Sequence, residues 1–116
     1  NLLIVLIPNT LTIGGNTSIT RLIVQNIYGT LTLQDSANVQ GVTVGTLSGT
    51  LEVTDFASVQ NLFVNNIPSG GQLIISDNAF VQNLTVNSCQ SGSIVIEDYA
   101  IINNLQGQAS QCVSTS

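Results

Sequence analysis

Six carboxylates and a single guanidinium are the whole charged complement of this 116-residue chain, which contains no histidine and no lysine. The usual general base, the Schiff-base amine and most anion clamps are therefore missing together, so no catalytic residue is assigned. Four of the carboxylates, Asp35, Asp55, Asp77 and Asp98, are almost evenly spaced. Two kinds of chemistry suit such a file: calcium ligation by carboxylate oxygens, or the capping by each Asp of its own turn through backbone amides. The glycine-rich, multiple-Asp spacing of a calcium loop is lacking, and the first corresponding position is Gly15. Turn capping is the expectation, and no metal or cofactor is assigned. Like charges about 4.8 Å apart repel by roughly 0.9 kcal/mol in water and several times more in a dry interior, which puts the file on a solvated corner. Glu97, Asp98 and Asp77 imitate the paired carboxylates of glycoside hydrolysis, yet neighbours in a strand point to opposite sides, and Asp98 belongs to the turn file.

Two further sets of residues carry chemistry. Cys89 and Cys112 lie 23 residues apart, close to one repeat, so stacked turns would bring their α-carbons within disulfide reach and imply an oxidising compartment. The alternative is two small buried apolar residues that happen to be thiols. Asn16-Thr17-Ser18 and Asn83-Leu84-Thr85 match the glycosylation acceptor pattern, a frequent coincidence in a chain this rich in Asn and Thr. Gly14-Gly15 and Gly70-Gly71 lack a following helix and a lysine, and read as corners rather than phosphate loops.

The elements that must hold these residues follow from a repeat that covers nearly the whole chain. Its units are LTIGGNTSITRLIV from Leu11, LTLQDSANVQGVTV from Leu31, LEVTDFASVQNLFV from Leu51, LIISDNAFVQNLTV from Leu73 and IVIEDYAIINNLQG from Ile94, at offsets of 20, 20, 22 and 21 residues. This is the range of a solenoid. Leu2, Ile4 and Ile7 stand 20 residues before Leu22, Val24 and Ile27 and so continue the pattern upstream. Within a unit the apolar residues alternate with period two, as in strands. Their parity switches between Val39 and Val42 and again between Val44 and Leu47, and each switch requires a corner if the apolar side chains are to face one axis. A third corner falls at the Asp-x-Ala step, where Ala37, Ala57, Ala79 and Ala100 suit a tight interior angle. Breaker-rich corners recur at Pro8-Asn9, Tyr28-Gly29, Ser48-Gly49, Pro68 to Gly71 and Gln90 to Gly92, and the two longer offsets are absorbed there.

The predicted fold is all-β: a single-stranded parallel β-solenoid of about five to six three-sided coils of 20–22 residues, spanning residues 1–105. Residues 106–116 are expected to form a loose polar C-terminal tail. The chain starts at Asn1 and reads as a processed or excised segment. Gln40, Gln60, Gln82 and Asn103, beside Asn61, Asn83 and Asn104, are expected to form amide ladders along the stack. The asparagine-rich, charge-poor strings, such as Leu84-Thr85-Val86-Asn87, resemble the parallel β-solenoid proteins of extracellular fibres, adhesins and viral shafts. That resemblance implies an extracellular, cell-surface or virion-surface location.

Function is read from the faces and ends of the rod. A net charge of −5 disfavours nucleic acid and anionic membranes, and no apolar run approaches the length of a membrane span. The last two coils place Ile74, Phe80, Val95, Tyr99 and Ile101 outside, after Phe56 and Phe63, which predicts lateral contact at one end. Neither end carries an evident cap, so Leu2, Ile4, Ile7 and Leu105 are candidates for end stacking. The leading expectation is a structural subunit of a fibre that pairs with itself head to tail and laterally. The alternative is a binding module, either an adhesin passenger that meets a glycan or other surface ligand, or an ice-binding solenoid suggested by Thr10-Leu11-Thr12 and Thr30-Leu31-Thr32. An enzyme acting on polysaccharide ranks behind both.

Overall fold

Alternating apolar residues separated by short corners build a parallel β-solenoid in the computed structural model, which describes residues 2–7, 9–90 and 92–114. Pro8 and Ser91, used above to place corners, lie outside the described residues. The chain alternates between two parallel sheets of six strands each. The long-strand sheet contains β1 (Leu2–Ile7), β3 (Ser18–Ile27), β5 (Asn38–Leu47), β7 (Ser58–Ile67), β9 (Phe80–Cys89) and β11 (Ile101–Gly107), stacked in that order. The short-strand sheet contains β2 (Thr10–Ile13), β4 (Thr30–Leu33), β6 (Thr50–Val53), β8 (Gln72–Ile75), β10 (Ile94–Ile96) and β12 (Val113–Ser114).

The predicted sides are thus built from two hydrogen-bonded sheets rather than three. Both parity switches fall inside one unbroken strand: in β7, Gln60 and Asn61 are both outside the core, as are Asn65 and Asn66, and the strand continues through each. Two successive outward residues re-aim the following side chains inward without breaking the ladder, as a bulge does. The third corner is a true turn at each Asp, lined inside by the buried Ala37, Ala57 and Ala79.

The core is a set of files running along the stack, each one residue wide. Leu22, Val42, Leu62 and Leu84 form one, in register from β3 to β9, and Leu31, Leu51, Leu73 and Ile94 form another, from β4 to β10. All eight are essentially inaccessible, and each such side chain contributes about 1.5–3 kcal/mol of transfer free energy. Leu33, Val53 and Ile75 are sealed in the same way.

At the N-terminal end the register differs from the expected one. Leu3 pairs with Leu22 and Val5 with Val24, an offset one residue shorter than predicted; the shift is recovered by Ile7, which pairs with Ile27. Leu2 and Ile4 lie opposite Arg21 and Ile23 instead. A register shift between Val5 and Ile7 absorbs the difference, and the side chains of these residues lie outside what is described.

The C-terminal stretch also differs. Residues 106–114 are not a loose tail: β11 runs to Gly107, a short helix α1 (Ala109–Cys112) turns the corner, and β12 pairs in parallel with β10. Buried Ala109 and Cys112 supply the apolar anchor that the polar composition of the segment obscures.

Candidate functional site

The Asp file is set by backbone conformation. Asp35, Asp55, Asp77 and Asp98 all adopt a left-handed conformation, with φ between 56° and 58°. Asp is one of the few side-chain-bearing residues that visits this region readily. Gly15 holds the same place in the first turn at φ 66°, which explains why glycine can stand in for Asp there. Each carboxylate serves the turn of the preceding coil rather than its own. Asp35 Oδ2 accepts from the Gly15 amide at 2.9 Å, Asp55 from Asp35 at 3.1 Å, Asp77 from Asp55 at 3.4 Å and Asp98 from Asp77 at 3.4 Å. A carboxylate in a stacked array reaches the neighbouring turn because its own amide points along the stack, away from it.

Asp77 has one more partner, the Thr54 hydroxyl at 2.6 Å, which itself accepts from the Ser76 hydroxyl. The Thr54 hydrogen bond, with the Asp55 amide behind it, holds the Asp77 carboxyl below the usual carboxylate range. Asp98 is committed to this ladder and Glu97 is exposed beside it, so the two do not face a common substrate position. Among the described residues no three His, Cys, Asp or Glu side chains converge on a point that could hold a metal ion.

The amide residues fall into separate ladders. Asn104 donates to Asn83 at 2.9 Å and Asn83 to Asn61 at 3.0 Å, a continuous file across three coils. Asn103 donates to Gln82 at 2.9 Å, whereas no hydrogen bond links Gln40 or Gln60 into that file among the described residues. Because the Asn83 amide is engaged on both sides, its acceptor triplet sits in a filled ladder. Two links escaped the sequence reading: Asn87 to Asn65 at 3.0 Å, and Thr85 to Gln106 at 3.1 Å. The recurrence of Asn one residue after Val64 and Val86 was the signal for the first.

The outer apolar residues do not form one patch. Ile74 and Val95 are in register on the short-strand sheet, while Phe80 and Ile101 are in register on the long-strand sheet, with the Asp turn between the two pairs. Tyr99, 79% exposed, stands on that turn, as does Phe56 at 68%, and Asn78 separates them. Ile74, Phe80 and Val95 are half-buried. On the short-strand sheet the threonines align as Thr10, Thr30 and Thr50 in one file and Thr12 and Thr32 in the next, which ends at Glu52. The corner that carries the insertions holds a groove between Ser69–Gln72 and the Gln90, Gly92 and Ser93 segment, without a titratable side chain.

The last rung is where the core opens. Leu105 continues the file of Leu84 yet is 38% exposed, and Ile102, in the file of Val81, is half-buried. The other half of this end is closed by α1 and β12, tied down by a disulfide between Cys89 and Cys112 whose α-carbons are 6.2 Å apart. No helix among the described residues is long and apolar enough to cross a membrane. Compared with protein-family models, curated proteins and solved structures, the chain finds no match in any of the three.

Proposed function

We propose that this chain is a structural shaft module that stacks head to tail with further copies into an extracellular or virion-surface fibre. The observation that carries the reading is Leu105: an inward file that is sealed through four strands ends on a side chain more than a third exposed, on a strand whose outer edge has no partner among the described residues. An unpaired edge with apolar side chains behind it is a template for another strand. Half-buried Leu11, at the start of the file of Leu31, marks the corresponding opening at the other end. The first strand offers a matching edge. If a second copy continues the observed register, its β1 lies on β11 with Leu3 opposite Leu105, and its β2 lies on β12. Such a contact is heterologous and need not close, so it propagates. The disulfide favours an oxidising compartment, which supports an extracellular setting.

The test is negative-stain microscopy and sedimentation of the oxidised protein over a range of concentrations. The expected result is filaments with an axial repeat of about 29 Å, six strand spacings. Leu105→Lys, at a position more than a third exposed where the long side chain can carry its charge out to water, leaves the coil folded and yields single particles. Wild-type protein that stays as discrete particles at high concentration refutes the proposal.

The two threonine files favour a second reading, a binding module whose short-strand face meets ice. Thermal hysteresis that disappears in Thr32→Leu supports it, and a flat freezing curve dismisses it.

A further inference from the structure

Residues 108–114 carry little secondary structure of their own. The four-residue α1 has no side-chain cap hydrogen bond and is far shorter than a helix that stands alone in water. The two-residue β12 pairs only with β10 among the described residues. Even so, Ala109 and Ile94 are fully buried and Cys112 is 3% exposed. Beyond the last backbone bond from β9, which the Gln108 amide makes to the Val86 carbonyl at 2.7 Å, the firmest tie from this segment to the coil is the covalent one from Cys112 to Cys89.

We propose that the Cys89–Cys112 disulfide is a latch that holds residues 108–114 in place as the last rung of the short-strand sheet, and that reducing it withdraws the edge on which a second copy docks. This rests on the stacking proposed above. With the latch closed, both sheets end on their sixth strand, β11 in one and β12 in the other, and the incoming β1 and β2 meet a flush surface. With it open, the short-strand sheet ends at β10 while the long-strand sheet still ends at β11. The end is then stepped, Ile94 is uncovered, and an incoming copy cannot seat both strands at once.

The chemistry is a two-electron exchange with a dithiol. Its thiolate attacks the sulfur of Cys89, the more exposed residue of the pair, in preference to that of the nearly inaccessible Cys112. The protein S–S bond breaks, a mixed disulfide forms on Cys89, and Cys112 leaves as a thiolate that takes up a proton. The second thiol of the reagent then closes its own disulfide and releases Cys89 as a thiol.

Hydrogen exchange read by mass spectrometry, with sedimentation in parallel, tests the latch on the intact chain before and after dithiothreitol, and on Cys112→Ser. Reduction is expected to speed exchange in residues 108–114 by roughly tenfold or more, to leave β5 and β7 unchanged, and to dissolve filaments. The unchanged middle strands report that the coil is still folded, and treating folded wild type with the reductant removes any dependence on whether the variant folds. A segment that stays protected after reduction overturns the latch. A segment that is freed while filaments persist overturns its role in docking. An oxidised chain whose segment is freed only by reductant, but which never assembles, overturns the stacking and leaves the latch standing.

Discussion

Replacing Asp55 separates two contributions that the stacked turns combine. Its backbone sits at φ 58°, a region that costs an ordinary side-chain-bearing residue about 1–2 kcal/mol. Its carboxylate accepts the Asp35 amide at 3.1 Å at an exposed site, a bond worth about 1 kcal/mol. Asp55→Ala loses both and is expected to destabilise by about 2–3 kcal/mol. Asp55→Gly loses only the hydrogen bond but adds backbone freedom to the unfolded chain, for about 1.5–2 kcal/mol in all. Asp55→Asn keeps both the left-handed tolerance and an acceptor oxygen, and costs less than about 1 kcal/mol. The order of stability is therefore Asp, Asn, Gly, Ala. Urea denaturation of the oxidised proteins at one temperature measures it through the midpoint at constant m-value. Ser36 supplies the control, because it follows Asp35 in the same kind of turn without a positive φ, so Ala should equal or exceed Gly there. If Ala matches or exceeds Gly at position 55, the left-handed argument for the whole file fails.

The Asp77 carboxyl, lowered by Thr54, contributes stability that is present above its unfolded pKa and is lost as pH falls through the lower folded value. Thr54→Val should raise the Asp77 pKa toward that of an ordinary carboxylate in an NMR titration and flatten the acid limb of the stability curve; an unchanged titration contradicts the assignment. Leu62→Ala, in the middle of a sealed file, should cost about 2–5 kcal/mol, whereas Leu105→Ala on the open rung should cost about 1–1.5 kcal/mol in the monomer. Equal losses in denaturant would mean that the last rung is covered.

Much of this architecture is legible in the residues because a repeat multiplies weak signals. One apolar-x-apolar string says little, but five in step, four of them followed by Asp and Ala, force parallel stacking, since only that arrangement superposes like on like. The Cys89–Cys112 separation is legible for the same reason, as one repeat along the chain becomes one strand spacing in space. The signal fails where the repeat decays. Gln106 to Ser114 offers just a few apolar residues in no period, so the helical turn and β12 emerge from burial of Ala109 and Cys112 rather than from pattern. The register shift after Val5 is likewise invisible in a run of consecutive Leu, Ile and Val, where every register looks equally apolar.

The sequence by itself determined that the chain coils, which residues of the repeat units from Leu31 to Val86 face the axis, and that the chain carries no His or Lys, because these depend on composition and period alone. Tertiary structure decided which amide each Asp carboxylate serves, which Asn and Gln side chains join, that the outer apolar residues fall on two sides of the Asp turn, and that among the described residues only half of the last rung is covered. Those outcomes depend on the direction of side chains between adjacent coils, a relation across about 20 residues that the periodicity permits in more than one way.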